Sequence, residues 1–176
     1  DNYLIKAMEE IGDRFEKQQA FVPELLMAGR AMKASLSLLQ PLLKGDEATS
    51  QLGTIVIGTV KGDLHDIGKN LVGSMFEGCG FQVVDLGVDA DSDKFVTAVK
   101  EHGANLVGLS ALLTTTMPYM KTIIEGLKAA GLRDKVKVMV GGAPVSSSFA
   151  EEIGADGYSD SANSAVIKAK ELLGVA

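Results

Sequence analysis

Two hydrophobic periods divide the chain. From Asp1 to Lys17 the apolar residues Leu4, Ile5, Met8, Ile11 and Phe15 recur at helical spacing, and from Val22 to Leu43 so do Leu25, Leu26, Ala28, Met32, Leu36, Leu39 and Leu43. This spacing predicts two amphipathic helices. Pro23 suits the first turn of the second helix, whereas Pro41 weakens or kinks its last turn, and the stretch from Gly45 to Gly53 reads as a linker. The apolar pattern starts within a few residues of Asp1 and no initiator methionine precedes it, so this helical unit is expected to be incomplete at its upstream end.

After Gly53 short β-branched runs alternate with helix-length segments. The candidate strands are Thr54 to Val60, Gln82 to Asp85, Leu106 to Ser110, Val136 to Val140 and a short one at Gly157 and Tyr158. Between and after them lie helical patterns at Lys69 to Cys79, Ser92 to His102, Pro118 to Ala130, Ser147 to Ile153 and Ala162 to Leu173. Five β/α units predict an α/β fold with an open, flavodoxin-like (Rossmann-like) five-stranded parallel sheet of order 2-1-3-4-5. Continuous apolar strands such as Ile55-Val56-Ile57 and Val138-Met139-Val140 belong where helices cover both faces. The expected division is a helical unit over residues 1–46, a linker over 47–53 and an α/β domain over 54–176. A ligand of such a sheet binds beyond the carboxyl ends of the strands, where the order reverses between the first and third.

Composition and charge narrow the function classes. Of 176 residues 46% are hydrophobic and 23% charged, which excludes a mainly disordered chain. Lys and Arg total 17 against 23 Asp and Glu, a net charge of -6, which is the wrong sign for a phosphate-backbone binder. No apolar run approaches the ~18 residues of a membrane helix. The lone Cys79 has no internal disulfide partner and no Cys/His cluster has zinc spacing, so the chain reads as cytoplasmic, without a nucleic-acid or membrane partner.

Three strand-end loops carry the unusual residues. The first strand is followed by Lys61-Gly62-Asp63-Leu64-His65-Asp66-Ile67-Gly68, which holds one of two histidines. The third is followed by the hydroxyl-rich Ser110-Ala111-Leu112-Leu113-Thr114-Thr115-Thr116, and the fourth by Gly141-Gly142-Ala143-Pro144, where a ligand can approach the bare backbone. His65 is open to three readings: a metal or cofactor ligand, a general base, or a loop histidine making a structural hydrogen bond. Asp63 favours the first, because a ligating imidazole commonly hands its other N–H to a carboxylate. One imidazole is too few for an all-protein zinc site, but a metal carried inside a cofactor needs only one. His102 reads as an exposed cation at a helix end, Cys79 as a packing thiol, and Met8, Met27, Met32 and Met75 as helix-packing residues.

Asp63-x-His65-x-x-Gly68, followed by Ser110-x-Leu112 and Gly141-Gly142, resembles the three-part cobalamin-binding signature of corrinoid proteins. The stretches Phe21 to Leu26 and Met32 to Leu43 are similar to the helical cap that precedes this domain in methionine synthase and in the corrinoid proteins of methanol and methylamine methyltransferase systems. Carbon-skeleton mutases share the signature and lack the cap. The resemblance covers nearly the whole chain and implies a corrinoid-binding methyl carrier, shuttling a methyl group on cobalt between a donor-specific and an acceptor methyltransferase. Such a chain is not an enzyme by itself but the cofactor-carrying subunit of a multi-component system, and it has no catalytic residue of its own.

The resemblance further implies a cobamide bound base-off/His-on, with His65 as the lower axial ligand of cobalt and Asp63 as its hydrogen-bond relay. Asp63, Leu64, His65, Asp66, Ile67, Gly68, Ser110, Leu112, Thr114, Gly141, Gly142 and Ala162 would line the cofactor. Gly68 and Gly141-Gly142 would give its nucleotide tail space, and the helical unit would cover the upper cobalt face on a hinge. Where relatives often read Tyr-Ala-Pro-Asp-Ala, this chain has Tyr158-Ser159-Asp160-Ser161-Ala162, which changes the contacts at 159 to 161. Two alternatives stand beside the carrier. One is a cobalamin-dependent sensor or regulatory module, although the chain shows no DNA-binding or signalling unit. The other is a flavodoxin-like or receiver-type binding domain. Ser110 and Ser159 stand where a receiver needs its acceptor Asp and its Lys, and Asp63 and Asp66 make a poor flavin phosphate loop.

Overall fold

The structure, a computed structural model, describes residues 2–39 and 52–175. Pro41, Leu43 and the 47–51 part of the expected linker lie outside these residues. Helices α1 (Asn2–Glu16) and α2 (Val22–Leu39) precede strand β1 (Thr54–Thr59). There follow α3 (Ile67–Gly78), β2 (Gln82–Asp85), α4 (Ser92–His102), β3 (Leu106–Ser110), α5 (Tyr119–Ala129), β4 (Lys137–Gly141), α6 (Ser147–Ile153), β5 (Gly157–Tyr158) and α7 (Ala162–Leu173). All five strands are parallel in the order β2-β1-β3-β4-β5. This is the doubly wound sheet that the periodicity predicts.

Strand alternation sorts the core into two layers. Val56, Val107, Leu109, Val138 and Val140 pack with Phe95, Met120, Ile123, Leu127 and Ala150 from α4, α5 and α6. Ile55, Leu106 and Met139 face the other way, onto Met75, Phe76, Val166 and Ala169 of α3 and α7. Each such side chain, fully buried, contributes roughly 1.5–3 kcal/mol, so the two layers hold the strand ends in fixed register. The N-terminal helices add a third layer on the α3/α7 side, burying Met8, Leu25 and Met32 in that same cluster. Gly12 of α1 approaches α7 so closely that a Cβ there would fall 2.4 Å from Asn163 Oδ1. Their buried side chains place these helices against α3 and α7.

Element boundaries differ from the pattern at the site itself. The helix after β1 begins at Ile67 rather than Lys69, because its first turn leaves Ile67 and Gly68 exposed and a burial period cannot register a turn that buries neither. Val60 leaves the strand and makes only an isolated bridge to Ala90. Gly103 ends α4 in the left-handed conformation, with His102 exposed in its last turn as expected. No helix among the described residues is long and apolar enough to cross a membrane.

Candidate functional site

The switch point between β1 and β3 brings the three singled-out loops together. Val60 donates its N–H to the Ser110 carbonyl (3.0 Å), and Ala111 donates to Gly141 (3.3 Å), so the exits of β1, β3 and β4 are stitched side by side. Beyond Val60 the chain reverses in a turn closed by the Asp63 N–H on the Val60 carbonyl (3.1 Å). Gly62 takes the positive φ of 84° that the third residue of this turn requires. The turn drives Asp63 into the protein, where it is fully buried.

Every lone-pair direction of that carboxylate is used. Oδ2 accepts from the N–H groups of Leu112 (2.7 Å) and Leu113 (3.2 Å) and from the Thr116 hydroxyl (2.8 Å). Oδ1 accepts from the His65 N–H (3.1 Å) and faces its ring Nδ1 at 2.7 Å. Burial by itself pushes the Asp63 carboxyl up. The Leu112 N–H, the His65 ring, the His65 N–H and the Thr116 hydroxyl together outweigh it and hold the group well below the usual carboxylate range. An anionic acceptor on Nδ1 fixes the proton there and leaves the Nε2 lone pair free. The His65 side chain is 52% exposed.

The surroundings suit a large, mostly apolar ligand. Leu64 and Ile67 on the first loop and Leu112 and Leu113 on the second are exposed apolar side chains. A Cβ built on Gly68 meets nothing within 4 Å, so the start of α3 fronts open space. Gly142 behaves differently: at φ 126° its Cβ would lie 1.9 Å from the Ala111 carbonyl oxygen, so the contact between two loops already forbids a side chain. At Gly141 the nearest atom is the Ser159 carbonyl oxygen, 3.1 Å away. Ser110 is half-buried at the end of β3, Asp66 half-buried beside His65, and Thr114 exposed. Ala162 is buried in the α3/α7 cluster behind an N-cap in which Ser161 and Ser164 bond reciprocally, so Ser161 has a local structural task.

Several residues of this site escape the sequence reading. Thr116 bonds Asp63 across 53 residues of chain, Thr59 donates its hydroxyl to the His65 carbonyl (2.9 Å), and Asp89 Oδ1 accepts the Gly62 N–H (2.7 Å). Asp89 also has a positive φ of 52° and donates its own N–H to the Asp63 carbonyl (3.1 Å). Only Thr116 lay in a loop the sequence marks as unusual. A separate surface hollow, lined by Lys121, Lys128, Arg133 and Asp156, sits at the other edge of the sheet and holds none of these side chains.

Both parts of the chain are similar to known proteins. Residues 53–167 match a family described as B12 binding domain, and residues 1–40 match a second family of the same description. Dimethylamine corrinoid protein 3 of Methanosarcina mazei is 50% identical over 166 residues, covering 94% of this chain and 99% of that protein. A cobalamin-binding protein from Desulfitobacterium hafniense DCB-2 superposes with a TM-score of 0.80 at 40% identity, covering 96% of this chain and 80% of that one. The methanol:cobalamin methyltransferase complex MtaBC of Methanosarcina barkeri gives 0.85 at 27% identity, over 100% of this chain and 67% of the matched one. The buried carboxylate, the imidazole it orients and these likenesses lead to one conclusion: the chain belongs to the corrinoid-protein family, and its α/β domain is a B12-binding domain.

Proposed function

We propose that this chain is a cytoplasmic methyl carrier, not an enzyme by itself, which holds a cobamide base-off with His65 Nε2 as the lower axial ligand of cobalt. It would pass a methyl group between a donor-specific methyltransferase and an acceptor methyltransferase. The observation that carries the reading is the buried Asp63 carboxylate, whose hold on Nδ1 leaves Nε2 as the free nitrogen of a half-exposed ring. A single imidazole suits a metal that brings its other ligands with it, and among the described residues no group of three or more His, Cys, Asp or Glu side chains gathers as a metal site.

The residues present fit such a group. The bound cobamide supplies the metal-centred methyl-transfer chemistry; the chain supplies ligation, orientation and shelter from water. Asp63 fixes the tautomer and ring direction of His65, while Leu64, Ile67, Leu112 and Leu113 offer an apolar seat for the corrin. Asp66, Gly68, Ser110, Thr114, Gly141, Gly142 and Ala162 complete the proposed lining. We read residues 1–46 as the helical unit, 47–53 as the linker and 54–176 as the cofactor domain.

The deciding experiment is reconstitution with a cobamide, followed by cobalt analysis and a visible spectrum. Stoichiometric cobalt with an axial-nitrogen spectrum that disappears in His65→Ala is the expected result; failure to retain any cobamide overturns the reading. Gly68→Ala is a second probe. Helix propensity predicts that the cofactor-free variant melts no lower than the wild type and gains up to ~1 kcal/mol. A methyl group in the open space at Gly68 should nevertheless weaken cobamide binding about tenfold or more, a cost of ~1.4 kcal/mol, as measured by fluorescence or spectral titration.

A further inference from the structure

The loop that carries His65 is held on its second side by a buried cation. Lys69, in the first turn of α3, keeps only 1% of its side chain exposed and forms an ion pair with Asp85 at the end of β2. Its Nζ also donates to Asn70 Oδ1 (2.6 Å), and Asn70 Nδ2 donates to Asp66 Oδ2 (3.0 Å). Asp66 stands at the N-cap of α3 yet makes no side-chain cap bond, its carboxylate being turned to Asn70 instead. From Asp85 the connections continue: Oδ1 accepts the Gly87 N–H (2.9 Å), Gly87 accepts from the Thr59 N–H (2.9 Å), and the Thr59 hydroxyl bonds the His65 carbonyl. The circuit therefore closes on itself through His65 and Asp66.

We propose that Lys69 is a positioning residue for His65, fixing through Asn70 and Asp66 the direction from which the imidazole meets the cobamide. The proposal rests on the reading of His65 as the axial ligand. Asp63 sets the rotation and tautomer of the ring; the Lys69 circuit sets where the backbone that bears it lies relative to β1 and β2. A buried ammonium is a poor source of stability, because desolvation consumes most of what its ion pair returns. Ligating groups, in contrast, require placement to within about 0.5 Å, and a closed ring of hydrogen bonds anchored on two strands supplies it.

The test compares Lys69→Met, Asp85→Asn and Lys69→Arg, with Lys168→Met, from an exposed pair on α7, as control. In the cofactor-free protein, Lys69→Met should melt within a few degrees of the wild type, whereas the His65 amide exchanges its proton about 10-fold faster. After reconstitution, the cobamide should remain bound with the axial-nitrogen fraction of the spectrum reduced about threefold or more in Lys69→Met, less in Asp85→Asn, and less than in Lys69→Met in Lys69→Arg, which keeps the charge but must fit a larger head into the same buried space. If Lys69→Met fails to fold, Asp85→Asn, whose site is half-exposed, carries the same comparison. Unchanged His65 exchange and an unchanged axial-nitrogen fraction in a folded variant would overturn the proposal. If the wild type binds no cobamide, the proposed function falls and the amide exchange alone decides whether Lys69 positions the loop.

Discussion

The Asp63→Asn variant is expected to fold and to bind a cobamide whose cobalt no longer carries the His65 imidazole. Five hydrogen-bond donors converge on the two carboxylate oxygens, three on Oδ2 and two on Oδ1. An asparagine offers one oxygen and one amide NH2. Its oxygen belongs beside Leu112, Leu113 and Thr116, where three donors would otherwise lose their acceptor, so the NH2 faces His65. The ring answers by accepting at Nδ1, which moves its proton to Nε2, and a protonated Nε2 has no lone pair for a metal. The remaining conflict with the His65 N–H and the loss of charged acceptor strength cost roughly 2–4 kcal/mol. In a chain of this length that lowers the melting temperature by about 4–16 °C at ~2–4 °C per kcal/mol. Loss of the axial-nitrogen spectrum with cobalt retained checks the first part; a wild-type spectrum would refute the tautomer argument. The pH dependence follows from the same carboxylate. Its folded pKa lies below the unfolded value, so its stabilisation is fully present above about pH 4–5 and is lost as the pH falls further. The gap in melting temperature between cofactor-free wild type and Asp63→Asn should therefore narrow as the pH falls below about 4.

Gly142→Ala carries the second large effect. The added Cβ would sit 1.9 Å from the Ala111 carbonyl oxygen and 2.9 Å from its carbon, both backbone atoms that no rotamer change can move aside. The residue also holds φ at 126°, which costs a non-glycine roughly 1–3 kcal/mol by itself. Strain and forced separation of the loops together should cost on the order of 3–5 kcal/mol. Gly131 is the control: its φ is also positive, at 68°, but nothing lies within 4 Å of its would-be Cβ. Gly131→Ala should cost only about 1–2 kcal/mol. The damage at Gly142 also reaches the imidazole, because Ala111 immediately precedes Leu112, whose N–H anchors Asp63. Chemical denaturation of both variants, with the axial-nitrogen fraction of any folded Gly142→Ala, tests this; equal losses at the two glycines would refute it.

The residues that touch the candidate ligand were largely legible in the sequence, and the residues that hold them in place largely were not. His65 and Asp63 are neighbours in the chain, so their pairing shows as a local motif. Thr59, Asp89 and Lys69 look like ordinary strand, loop or helix residues until the sheet assembles, and Thr116 is one hydroxyl among several in its loop. Gly142 illustrates the same divide: its small size is visible as a glycine pair, whereas the reason, an Ala111 carbonyl 31 residues away in the chain, is not.

The elements, the strand order and the imidazole follow from local pattern alone. Burial periodicity is a property of neighbouring residues, and a β/α alternation with short connections admits few topologies. Three features arise only on assembly: the N-terminal helices lie against α3 and α7, the Asp63 carboxylate is saturated, and a buried lysine closes a ring through His65. Those outcomes depend on register, such as Thr59 opposite Ser110, which brings the partners of one carboxylate together from some 50 residues apart. No local pattern records such a distance, because it exists only once two strands have paired.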